Sequence, residues 1–387
     1  MTTEPLRPKI PALTSLRFFA AFHVLLFHTR AMGAAFGPVW FQKLSSIGYV
    51  GVSFFFVLSG FILVYTYSGR PTTAKKFWSA RFARVYPAYA FALLLTLPIF
   101  LYGVAHFREM NMQFMAFQAG HTRIAAALEI LLLQSWFPPA ALSWNAVGWS
   151  LSVEAFFYLL FPFLLTRFER LSKAQLLFMI AGCWIASNAV SGSYTWFRPD
   201  GVANPDANVY TSWMNFVKFF PLVRLPEFLM GMSAGILFLR SSRSSRSAVP
   251  LVLGGVLAIA LVSALSNHLP YAVIHTALLS PAFAAIVYGI ALRPGWASFL
   301  DFKLPVLLGE CSYSMYLIHS SFVFPVFHTS TGAIRNANFG GLALCLCLVL
   351  LFSILIYRFI EEPARRKLRP KTASKTPMKV RVAAAAS

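Results

Sequence analysis

The chain has 387 residues, 58% of them hydrophobic and only 12% charged, with a mean hydropathy of +0.66. A soluble domain carries about 25% charged residues, so composition excludes a water-soluble fold. The net charge of +21, from 33 Lys and Arg against 12 Asp and Glu, therefore belongs to a membrane protein; its basic residues lie in short loops between apolar stretches, as cytoplasmic loops require, and nucleic acid is a poor partner for them.

Apolar stretches near the roughly 20 residues that cross the hydrocarbon recur from end to end. They fall at 12–33, 47–67, 84–105, 147–166, 174–192, 216–239, 248–266, 271–292, 306–328 and 339–359. The pattern predicts an all-α integral membrane protein of about ten transmembrane helices. Residues 1–370 form one multi-pass membrane domain, and 371–387 form a basic, disordered cytoplasmic tail. The first stretch follows Arg7 and Lys9, as a signal peptide would, but it contains Arg17, His23 and His28 and reads as a retained helix. Ile124 to Trp136 is too short to cross and reads as a re-entrant or interfacial segment. Basic clusters at Arg7/Lys9, Arg70 to Arg84, Arg167 to Lys173, Arg240 to Arg246, Arg293/Lys303 and Arg358 to Lys379 can all face the cytoplasm only if that segment does not cross. Both termini are then cytoplasmic, in the plasma (inner) membrane. The four cysteines, Cys183, Cys311, Cys345 and Cys347, lack metal-ligand spacing and read as packing residues, and no metal is expected.

Ionisable groups inside membrane helices are costly, about 2.5–3.5 kcal/mol each at mid-helix, so each needs a reason. Arg17 and His28 are eleven residues apart, which places them on one helical face roughly 16 Å apart along the axis. A histidine there either packs against a neighbouring helix or acts as a base. The fourth span opens Trp149-Ser150-Leu151-Ser152-Val153-Glu154, with a carboxylate about two turns in. Entering from the outer side, Glu154 is expected at a depth like that of His28, as its orienting partner or as half of a structural ion pair. Arg81 and Arg84 share a face where the third span begins; that spacing suits phosphate as well as plain positive-inside charge.

These residues lie within longer motifs. Arg17 to His28 is followed by Gly51-Val52-Ser53-Phe54-Phe55-Phe56-Val57-Leu58-Ser59-Gly60-Phe61, by Phe77 through Tyr89, and by Trp149 through Tyr158. Arg224-Leu225-Pro226-Glu227-Phe228-Leu229-Met230-Gly231, Ser312 through His319, and Ile360-Glu361-Glu362-Pro363 complete the series. With these seven motifs in order, the chain resembles the acyltransferase 3 family of membrane acyltransferases, whose members include polysaccharide and macrolide O-acyltransferases.

The resemblance implies an O-acyltransferase moving an acyl group, acetyl as first expectation, from cytoplasmic acyl-CoA to a hydroxyl of a glycan or glycolipid. No cofactor is expected to stay bound; acyl-CoA is the donor substrate, and the sugar-containing acceptor and the bilayer are the partners. Arg17, Arg81 and Arg84 would hold the CoA phosphates, with His28 as general base and Glu154 behind it. Trp149, Ser152, Tyr86, Tyr316 and His319 are candidates for substrate contact. The alternative class is a transporter or flippase of a lipid-linked sugar or anion, because buried ionisable residues suit that function too.

Overall fold

The structure is a computed structural model that describes residues 7–31, 37–110, 113–241, 245–326 and 339–368; the tail expected at 371–387 lies outside them. Helices make up its regular structure, and the described residues contain no strand. The first five helices used below are α1 (Pro11–Ala31), α2 (Gly51–Tyr67), α3 (Ala74–Ala105), α4 (Thr122–Ile130) and α5 (Trp149–Phe168). They are followed by α6 (Lys173–Phe197), α7 (Ser212–Phe219), α8 (Pro221–Arg240) and α9 (Ala248–Ala264). The last are α10 (Ser280–Ala291), α11 (Lys303–Ile318) and α12 (Phe339–Ile356).

Eight helical stretches among the described residues are long and apolar enough to cross a membrane. The other two expected positions are helical but shorter. Helix α9 has 17 residues, and α11 has 16 before a π-helical turn, His319–Val323, carries the chain on. The sequence pattern counted apolarity along the chain and could not see where backbone geometry changes within a span.

The segment expected to be re-entrant or interfacial is a short helix followed by a turn. Helix α4 has nine residues, about 13.5 Å of rise against a hydrocarbon thickness of roughly 30 Å. After it the chain turns at Leu132, which has a φ of 57°. Irregular backbone at such a place must be satisfied by protein. Ser152 Oγ donates to Leu132 O (2.7 Å), Ser135 Oγ to Trp149 O (2.7 Å), and Tyr86 OH to Ile130 O (3.1 Å). Beneath it Glu129 is fully buried and accepts from Tyr89 OH at 2.9 Å.

Close helix crossings at small residues hold the bundle together, as expected where lipid competes for apolar contact. On α8, a Cβ at Gly231 would lie 2.0 Å from Val57 O of α2, and one at Gly60 of α2 would lie 2.3 Å from Phe228 O. A Cβ at Gly309 of α11 would lie 2.0 Å from Thr14 O of α1. These three contacts, at two helix crossings, fix α1 against α11 and α2 against α8 around the polar interior.

Candidate active site

Two cavities occupy that interior. The smaller, of about 120 Å³, is lined by Arg17 of α1, Ser59 of α2, Arg81 and Arg84 of α3, and Glu154 and Tyr158 of α5. Three guanidinium groups thus face one carboxylate. Glu154 accepts a hydrogen bond from Ser59 Oγ at 3.0 Å. The Arg81 guanidinium lies 5.8 Å from the ring centres of Tyr67 and Phe77 and 6.0 Å from that of Tyr158, and its Nη2 donates to Tyr67 OH at 3.4 Å. Stacking on aromatic faces holds a guanidinium while leaving much of its donor fork available. Nearby, Glu361 is buried and accepts from Ser314 Oγ (2.9 Å).

The larger cavity, about 1200 Å³, is lined by His28, Tyr49, Trp149, Lys218, His275 and Tyr316 among others. Val52 and Tyr316 line both cavities, so the two meet at that pair. Tyr316 OH donates to Val147 O (3.2 Å) and shares a 2.9 Å hydrogen bond with Ser150 Oγ. Arg17 and His28, on one face of α1 as expected, therefore line different cavities on either side of this pair.

The hydrogen bonds of His28 fix its tautomer. His319 is 1% exposed, and its Nδ1 lies 3.2 Å from Met315 O and 2.8 Å from Tyr316 O. Carbonyls only accept, so Nδ1 of His319 carries the hydrogen and its Nε2 is a lone pair. That Nε2 lies 3.1 Å from His28 Nδ1, which is also 3.0 Å from Val24 O. His28 Nδ1 is thus the donor to both, and its Nε2 is left unprotonated.

Among the predicted residues, Arg17, Arg81, Arg84 and Glu154 come together, and so do His28, Trp149 and Tyr316, with His319 behind His28. The expected contact between His28 and Glu154 is not made. Glu154 is five residues beyond Trp149, about 7.5 Å along α5 and some 140° around it, so it turns away from the cavity that Trp149 lines. Equal depth on two helices does not fix direction. Ser152 and Tyr86 bond the short 124–136 segment and line neither cavity. His23 is likewise tied to Leu44 O at 2.7 Å. Sequence reasoning passed over Lys218, His275 and Trp144, all on the larger cavity. The signal available was the ionisable Lys218 within an apolar stretch.

A family profile described as an acyltransferase domain matches residues 10–358. The chain belongs to the acyltransferase 3 family. It is accordingly a multi-pass membrane O-acyltransferase. It is 26% identical over 385 residues to the acyltransferase MdmB of Streptomyces mycarofaciens, covering 93% of this chain and 92% of that protein. It is also 26% identical over 390 residues to the O-acetyltransferase OatA of Staphylococcus aureus, covering 92% of this chain but 57% of OatA. The exopolysaccharide production protein ExoZ of Rhizobium meliloti is 28% identical over 342 residues, covering 84% of this chain and 92% of ExoZ. No solved structure matches the chain. The matched region of this acyltransferase contains both cavities and the two residues, Val52 and Tyr316, that they share.

Proposed function

We propose that this acyltransferase moves a small acyl group, acetyl in the first instance, from cytoplasmic acyl-CoA to a hydroxyl of a glycan or glycolipid. The observation that carries the reading is the pair of cavities meeting at Val52 and Tyr316, one rich in arginine and the other holding an unprotonated histidine nitrogen. Three guanidinium groups against one carboxylate favour an anionic donor such as a CoA phosphate. Arg81 and Arg84 belong to a basic cluster that the positive-inside rule assigns to the cytoplasm, which puts the donor on that side and both termini with it, in the plasma membrane.

In this mechanism the acceptor hydroxyl enters the larger cavity and meets the thioester at the neck. His28 Nε2 takes the hydroxyl proton as the oxygen bonds to the acyl carbon. Collapse of the tetrahedral species breaks the C–S bond, and the imidazolium returns the proton to the departing thiolate. His319 holds the imidazole in the tautomer that leaves Nε2 basic, and the charge on the ring during transfer is shared with Val24 O and His319 Nε2 through the Nδ1 hydrogen. Glu154 acts on the donor side, balancing the arginines.

The test is acyl-CoA consumption by purified protein, with mass spectrometry of the product. Acetyl-CoA turnover that depends on an added glycan hydroxyl supports the reading. Protein that is folded, binds the glycan and leaves acetyl-CoA untouched sinks it.

A further inference from the structure

The larger cavity contains a cation that the transfer chemistry does not use. Lys218, on α7, is 1% exposed, yet it lines the cavity. Its Nζ donates one hydrogen bond, to Val209 O at 2.8 Å, although an ammonium has three hydrogens to give. It forms no ion pair with any described residue. Three aromatic rings surround it instead, with Tyr210, Phe219 and Tyr271 centred at 4.9, 5.1 and 5.9 Å.

A buried charge costs free energy unless it is paired and hydrogen-bonded, and aromatic faces supply only part of that pairing. A purely structural lysine in this place would be expected to reach a carboxylate. A second observation points the same way. His275 and Trp144 also line the cavity, both with a buried ring nitrogen, Nδ1 and Nε1 respectively, that has no hydrogen-bond partner. His275 is 4% exposed, and its ring stacks on Tyr49 with centroids 5.0 Å apart. An unpartnered ring nitrogen, a half-used ammonium and stacked aromatic rings on one wall are what a polar ligand with an anionic group would meet.

We propose that Lys218 and His275 form an acceptor subsite for an anionic substituent, a carboxylate or phosphate on the sugar, held apart from the hydroxyl that His28 deprotonates. The ammonium pairs with the anion, His275 Nδ1 hydrogen-bonds a neighbouring oxygen, and the aromatic rings pack on the sugar face. The subsite selects acidic glycans and sets which hydroxyl points toward the neck. This rests on the larger cavity being the acceptor side, as proposed above, but not on His28 being the base.

The experiment is calorimetric titration of the purified full chain in lipid nanodiscs. The probes are methyl β-D-glucuronide, glucose 1-phosphate and the neutral methyl β-D-glucoside. One charge-assisted contact predicts that at least one anionic probe binds about ten- to hundredfold tighter than the neutral glycoside. Whichever anion shows the preference identifies its source as a uronic acid or a sugar phosphate. In Lys218→Gln the preference collapses to near unity while binding of the neutral glycoside stays; in Lys218→Arg, which keeps the charge should Lys218→Gln fold poorly, the preference persists. His28→Gln keeps the preference even where transfer is lost, so the subsite and the base fail separately. Equal affinities in the wild type, no binding of any probe, or a preference unchanged in Lys218→Gln would overturn the proposal.

Discussion

His319 Nε2 lies 3.1 Å from His28 Nδ1, on the side of the imidazole facing away from the nitrogen available for proton transfer. In the proposed mechanism the pair acts as a base and its orienting partner, with a second histidine where a carboxylate often stands. A neutral partner leaves the imidazolium less stabilised than a carboxylate would, but it avoids burying a further charge among apolar helices.

Replacing His28 with Gln keeps side-chain length and some hydrogen bonding but removes the proposed base. Acyl transfer is expected to fall by roughly 10²–10⁴-fold, while donor binding persists. In His319→Phe the base remains but its tautomer is no longer held, and kcat is expected to drop about tenfold with donor KM unchanged. Steady-state kinetics of the two variants check this. A His319→Phe enzyme with normal kcat would remove His319 from the mechanism.

The arginine cavity makes a separate prediction. Changing Arg81 or Arg84 to Ala removes a charge-assisted contact worth about 1.5–3 kcal/mol, so acyl-CoA affinity is expected to fall by about ten- to hundredfold. Arg81→Lys recovers only part of this, because an ammonium lacks the planar fork and stacks less well on Tyr67 and Phe77. Titration with a non-hydrolysable acyl-CoA analogue measures it. Weakened acceptor binding with normal donor binding would reassign the arginines.

Gly231 supplies a prediction about stability. A methyl group there would sit 2.0 Å from Val57 O, a backbone atom that no rotamer change can move. Gly231→Ala is expected to force α2 and α8 apart and to cost about 1–3 kcal/mol. Gly254, whose added Cβ would meet nothing within 4 Å, is the control, and Gly254→Ala should be neutral or slightly stabilising. Thermal melts in detergent compare them. Equal melting temperatures for the two variants would contradict the crossing.

Periodicity and charge made much of this legible. The apolar stretches gave the helical positions, and the charge parity that kept Ile124 to Trp136 from crossing agrees with the nine-residue α4 and the turn at Leu132. The shared face of Arg17 and His28 followed from helix geometry, and both reach cavities. Contacts between helices were not legible. The direction of Glu154 depends on how α5 is rotated against α1, which a single chain's periodicity leaves open. Ser152 and Tyr86 are substrate-contact candidates in the sequence, but their hydroxyls satisfy the carbonyls of Leu132 and Ile130. Lys218 was passed over in the sequence, and only the fold surrounds it with Tyr210 and Tyr271.

The placement of Glu154 can be decided by a double-mutant cycle. If Glu154 acted through His28, the His28→Gln and Glu154→Gln effects would overlap, and the double variant would be little worse than His28→Gln alone. The structure places Glu154 with Ser59 and the arginines, on the far side of the neck at Val52 and Tyr316. Sites without shared partners add to within about 0.3–0.5 kcal/mol, whereas contacting residues couple by roughly 0.5–3 kcal/mol. The losses from His28→Gln and Glu154→Gln are therefore expected to add in log kcat/KM. Those from His28→Gln and His319→Phe are expected to fall well short of additive, since His319 has nothing left to orient once the imidazole is gone. Both cycles need only kcat/KM for the acceptor from four proteins each, with donor held above saturation so that weakened CoA binding does not enter. Strong coupling between His28 and Glu154, with none between His28 and His319, would return the carboxylate to the base and leave His319 as packing.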